Sequence, residues 1–262
     1  MHPYDHPFDR YDGYDGYRFD EPTLDRVTHL VFVDGRLVDT WREPATGTQW
    51  EAVALRHDRE ARPPAPPPKA QHERVMEWLV DVCGSRAAVD ALTAEPLGDD
   101  ATDLPTEYAE RAAGDRMVAT AELLDAIAAR SFDTESSHAF RHALLALWAE
   151  DPETVTRAAT AAHLAGGIVW AVGKANGLFH PAGPLRVGVV QQDLALRSPI
   201  SSYGGTVRAG LRGFRGQPID GWGRPGGVPD LLALGRSDLL LGVTRARLLR
   251  IRDRARAAAE AA

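Results

Sequence analysis

The sequence predicts an α+β fold, mainly α: a small N-terminal antiparallel β-meander, then a helical domain containing a helix-turn-helix-like element. Three observations carry this expectation. Residues 28–57 alternate apolar and polar side chains with period two, the repeat of a strand. Residues 61–70, ARPPAPPPKA, favour extended, semi-rigid polyproline backbone. From His72 onward apolar residues recur at helical spacing, first as Val75, Trp78, Leu79 and Val82.

In chain order, residues 1–24 alternate aromatic residues with Asp and Gly and read as a flexible tail. His2, Asp5, His6 and Asp9 there are metal-type side chains that could bind a metal weakly, but a tail gives them no fixed geometry. Residues 25–60 read as a three-stranded meander: THLVFV, an Asp34-Gly35 turn, RLVDTW, a Pro44/Gly47 turn, then QWEAVALRH. So small a sheet needs cover on one face. Trp41 and Trp50 are expected in that cover, the alternative being an exposed aromatic binding face.

The proline-rich linker 61–70 separates the meander from a helical domain, 71–262. Helices are expected at His72–Val82, Arg86–Leu92, Tyr108–Arg130 and Glu135–Trp148, the last capped by Ser136 or Thr134. Val155–Phe179 is apolar on nearly all sides and is expected to be one central buried helix. Residues 95–105 and the Gly-rich segment 213–227 read as loops.

Composition narrows the function classes. No apolar run approaches the ~18 residues of a membrane span, so no membrane partner is expected. The N-terminus lacks the basic start and apolar core of a signal peptide, and the single cysteine, Cys83, permits no intrachain disulfide. A cytoplasmic setting is the expectation. His138 and His142 share a helix face, but the glutamate of a zinc-protease HExxH helix is missing. His163 is expected in the core, and Cys83 as a small buried residue. No catalytic constellation, cofactor motif or metal site is expected.

The net charge of −7 hides a division. Residues 1–182 carry 17 Lys/Arg against 31 Asp/Glu, and residues 183–262 carry 13 Arg against 6 acids. Such asymmetry suits an anionic partner for the basic part, or packing of one part on the other. Within residues 185–212, Val189–Leu196 would be a first helix, Ser198–Ser202 a turn and Tyr203–Leu211 a recognition helix in the DNA major groove. Ser201, Ser202, Tyr203 and Thr206 would approach bases, while Arg208 and Arg212 would hold phosphates. Gly204-Gly205 weighs against that helix, at about 2 kcal/mol relative to alanines. The segment 243–259 predicts a basic helix, whose Arg245, Arg247 and Arg250 would add phosphate contacts.

The run Ala165, Trp170, Gly173, Asn176, Leu178 and Phe179, followed by the short helix pair and GRSDLLLGVTRARLLRIRDR, resembles a mainly actinobacterial family with a domain of unknown function. That family is distantly similar to the cyclin-like helical repeats of transcription factors. The resemblance covers about residues 72–254 and implies a helical fold with a possible DNA-binding element. The functional expectation is a DNA-binding or transcription-associated accessory protein. The alternative is a non-catalytic protein-interaction module, presenting the N-terminal sheet or the basic helix to another protein, in which the helix-turn-helix is purely structural.

Overall fold

A computed structural model describes residues 25–61, 67–100, 102–179, 185–213 and 224–262. The expected tail 1–24, residues 62–66 of the linker and residues 214–223 of the Gly-rich loop lie outside the described residues. The protein is α+β and mainly α. It divides into two compact units, with the boundary between Pro68 and Lys69.

The first unit holds β1 (Asp25–Val33), β2 (Arg36–Pro44) and α1 (Glu51–Ala61). β1 and β2 pair antiparallel around Asp34-Gly35. Asp34 and Gly35 have φ of 51° and 79°, so both central residues are left-handed, as a type I′ turn requires. The expected third strand is instead α1, which corrects the meander to a hairpin. Glu51 Oε2 accepts from the Gly47 N–H at 3.1 Å and Thr48 Oγ1 accepts from the Trp50 N–H, which satisfies donors at the helix start. Within Glu51–Arg56 only Val53 is β-branched, so propensity overrides a short period-two pattern. Among the described residues of this unit, Ala45 is the single buried apolar side chain.

The second unit is a helical bundle. Its helices are α2 (Gln71–Cys83), α3 (Arg86–Asp90), α4 (Arg111–Ser131), α5 (Thr134–Glu150), α6 (Pro152–Thr156), α7 (Ala161–Ala175), α8 (Val187–Asp193), α9 (Ile200–Arg212) and α10 (Gly242–Glu260). Caps explain the breaks. Asp133, and neither Ser136 nor Thr134, caps α5 by accepting from the Ser136 N–H at 2.8 Å. The single helix expected over Val155–Phe179 is split: α6 ends at Thr156, and Thr160 opens α7 by accepting from the His163 N–H. α7 is buried almost all round, as its composition implies, and α4, α5 and α9 pack on it.

The α7–α9 crossing is set by missing side chains. A Cβ on Gly167 would come within 2.9 Å of Val207 Cγ2, and one on Gly166 within 2.9 Å of Ile200 Cγ2. On the other side of the crossing, a Cβ on Gly204 would meet the Trp170 indole, 2.7 Å from Cδ2. Gly205 faces open space. The adjacent glycines that weigh against a helix in the sequence therefore sit inside a 13-residue helix. The packing that Gly204 allows offsets the propensity it costs.

The two glycines should respond with opposite signs. Gly204→Ala is expected to destabilise the second unit by about 1–3 kcal/mol through overpacking against Trp170. Gly205→Ala is expected to stabilise it by about 0.5–1 kcal/mol, since the new methyl meets nothing and the helix gains propensity. Urea unfolding followed by far-UV circular dichroism separates the two. Equal effects at both positions would remove the close crossing as the explanation.

Candidate nucleic-acid interface

The helix pair expected at 185–212 exists with shifted bounds. α8 ends at Asp193, α9 begins at Ile200, and Leu194–Pro199 joins them, with Ala195 at φ 51°. That connection is longer than the ~3–4-residue turn of DNA-reading pairs. Leu194, Ile200, Val207 and Leu211 are buried supports of the pair, and Leu196 is half-buried.

The proposed base-reading face is only partly outward. Ser201, Ser202 and Thr206 are exposed, beside Gly205 and Ala209. Tyr203 points inward: its hydroxyl donates to the Thr154 carbonyl at 2.5 Å, and burial pushes its phenol pKa up. Arg208 is half-buried, with Nε enclosed and unpartnered. Arg212, expected to hold phosphate, is 6% exposed. Its guanidinium donates to Asp81 Oδ1 and to the Ala233 carbonyl, each at 2.7 Å. The sequence-level assignment therefore needs correction for Tyr203 and Arg212: both polar groups are spent inside the bundle, where the inward turn of α9 carries them.

The basic C-terminal helix divides the same way. Arg245 is 12% exposed; it donates to the Glu95 carbonyl and lies 3.9 Å from Glu135, so its expected phosphate contact is also corrected. Arg252 donates to the Val89 carbonyl, and Arg256 pairs with Asp90. Arg236, just before the helix, pairs with Glu150 and Asp238. Arg247, Arg250 and Arg254 are exposed, and their spacing of three and four puts them on one outer face. Arg212, Arg236, Arg245 and Arg256 of the basic part thus meet Asp81, Glu150, Glu135 and Asp90 of the acidic part within the bundle.

The residues carrying the family resemblance have packing roles. Trp170 covers Gly204, and Gly173 admits the Phe179 ring, whose Cζ would lie 3.0 Å from a Cβ there. Asn176 is a clamp at the end of α7. Its Nδ2 donates to the Val172 and Leu239 carbonyls, and its Oδ1 accepts from the Leu241 N–H at 2.7 Å. Known protein families, curated proteins and solved structures contain no match to the chain.

Candidate reactive side chains are committed elsewhere. His138 and His142 bond to the carbonyls of Leu97 and Asp100, tying down the 95–100 loop. Among the described residues no group of three or more His, Cys, Asp or Glu is placed to hold a metal. His163 is half-buried rather than in the core and contacts Thr160 and Ser198. Cys83 is buried, and burial pushes its thiol up to about 11, which disfavours the nucleophilic thiolate. Among the described residues no helix is long and apolar enough to cross a membrane.

A second surface was underweighted by the sequence. In the first unit nine large apolar side chains are 37% to 58% exposed. Leu30, Phe32 and Leu37 share one face of the hairpin, where Phe32 lies opposite Leu37. On the other face His29 stacks on Trp41 at 4.6 Å and meets Trp50 edge-on at 6.2 Å, yet Trp41 and Trp50 remain 46% and 37% exposed. The alternation of Leu30 and Phe32 was the available signal; the sequence suggested cover that α1 does not supply.

Arg212→Ala is expected to destabilise the bundle by about 3 kcal/mol, because Asp81 would keep its charge without its partner. Arg250→Ala, an exposed change, should stay within about 0.5 kcal/mol. Thermal and urea unfolding of both variants checks this. An unaffected Arg212→Ala protein would return Arg212 to the list of cations available to a ligand.

Proposed function

We propose that this chain is a non-catalytic protein-interaction module, in which the helix-turn-helix-like pair is structural and the N-terminal hairpin–helix unit is the docking surface. One observation carries the reading. Among the described residues of the first unit, nine apolar side chains are half-exposed and one is buried. The nine lie on both faces of the hairpin and on or beside α1, a denser set than the singly scattered apolar residues that need no explanation. A surface this apolar is stabilised by being covered.

The same structure weakens the nucleic-acid reading. Duplex binding draws most of its free energy from cations laid on phosphates. Arg212 and Arg245 are turned into the bundle, and α9 presents hydroxyls without a fully exposed arginine. On α10 Arg247, Arg250 and Arg254 make a short cationic face, and Arg186 and Arg197 are exposed beside α8.

Two measurements test the proposal. A photoreactive phenylalanine analogue placed at Phe32 or at Trp41 in cells should give adducts heavier than the chain; the same analogue at exposed Gln192 should give none. Absence of adducts from both hairpin positions would sink the docking surface. In mobility-shift titrations at ~50 mM salt, where phosphate-driven binding is strong, no duplex shift is expected. A salt-sensitive shift abolished by Arg247→Ala with Arg250→Ala would replace this reading with the DNA one.

A further inference from the structure

The two edges of the hairpin differ in chemistry. β2 exposes Arg36, Asp39, Arg42 and, half-buried, Glu43, and charged side chains of this kind discourage pairing with another strand. β1 has no charge, proline or glycine from Val27 to Val33. A long uncharged edge of β-branched and aromatic residues is a template for one more strand. The hairpin is also short of partners: two strands are marginal in water, and three or more with an apolar face are needed for independent stability.

Backbone geometry says which groups the open edge offers. Val33 and Arg36 close a two-residue turn, so this pair exchanges its hydrogen bonds within the hairpin. Alternation then directs the N–H and C=O groups of Thr28, Leu30 and Phe32 away from β2.

The strand is its own complement. Val27 and Val33 lie three residues to either side of Leu30, while Thr28 and His29 mirror Phe32 and Val31. Antiparallel pairing of β1 with a second β1 about Leu30 sets Leu30 against Leu30, Thr28 against Phe32, His29 against Val31 and Val27 against Val33. All three outward-facing residues then meet outward-facing residues. No like charges lie opposite each other, and a two-fold axis relates the halves, as an isologous dimer needs.

Resting on the docking surface proposed above, we infer that its occupant is a second copy of this chain, joined through β1 to make a four-stranded antiparallel sheet. Sedimentation equilibrium of the purified full chain should give twice the 28.5 kDa chain mass. Leu30→Lys, which sets two ammonium groups opposite each other at the centre, should return the mass to that of one chain while the helical circular-dichroism signal is kept. Leu30→Cys should give a disulfide-linked dimer under mild oxidation, and Asp39→Cys on the β2 edge should not; Cys83 is buried and does not interfere. A monomeric wild-type chain, or a dimer indifferent to Leu30→Lys, overturns the inference. If Phe32 adducts then form with a mass other than twice the chain's, self-pairing fails while the docking surface stands. If no adducts form at all, both fail together.

Discussion

The close crossing of α7 and α9 is the constraint on which the bundle depends. Glycines 166 and 167 let α9 approach where any side chain would hold it off, and Gly204 receives the Trp170 indole in return. Contact at that distance gains dispersion energy along the whole crossing and leaves no room for water. It also fixes the rotation of α9. With Ile200, Val207 and Leu211 buried and the Tyr203 hydroxyl held by the Thr154 carbonyl, the outward stripe is limited to Ser201, Ser202, Gly205, Thr206 and Ala209. A helix seated this deeply has little side-chain reach left for a major groove.

Charge placement follows from the same packing. α9 ends with Arg212 inside the bundle, so Asp81 of α2 answers it at 2.7 Å. α10 lies along α2 and turns Arg252 and Arg256 toward the end of α3. Exposed pairs of this kind contribute little individually. The Arg212–Asp81 pair differs, because a buried guanidinium without its carboxylate would be strongly unfavourable. Part of the basic excess of the last third of the chain, Arg212, Arg236, Arg245 and Arg256, is thus met by acids of other elements in the bundle. Among the described residues of that third Arg186, Arg197, Arg224, Arg247, Arg250 and Arg254 remain exposed, on a chain whose net charge is −7.

Much of the helical unit was legible because its signals are local. Val75, Leu79 and Val82 mark the inner face of α2, and the apolar surround of α7 marks a central helix. Local rules failed where a short pattern fits two periods. Trp50 to Leu55 alternates like a strand but is built mainly of helix formers, and a turn at Thr48 starts a helix. Gly204-Gly205 misled for a different reason. Propensity is a property of the isolated segment, whereas the indole that requires Gly204 comes from Trp170, 34 positions earlier. The site assignments were least legible. A sequence gives the number of arginines but not which ones a helix rotation buries, so Arg212 and Arg247 look alike until the bundle is assembled.

The first unit obeys a different balance. Among its described residues Ala45 is the one buried apolar side chain, and these residues alone make no core to offset backbone ordering. An 11-residue helix gains little by itself, and a lone hairpin gains little more. The local order present comes from a type I′ turn, a His29–Trp41 stack and the Arg26–Asp58 pair, each a modest term. A partner of the proposed docking surface that bound the folded form and not the unfolded one would add its binding free energy to the stability of the unit. Folding and occupancy of this surface are then one equilibrium. A charge introduced on β1 would act twice, by weakening the contact and by lowering the population of the hairpin that makes it.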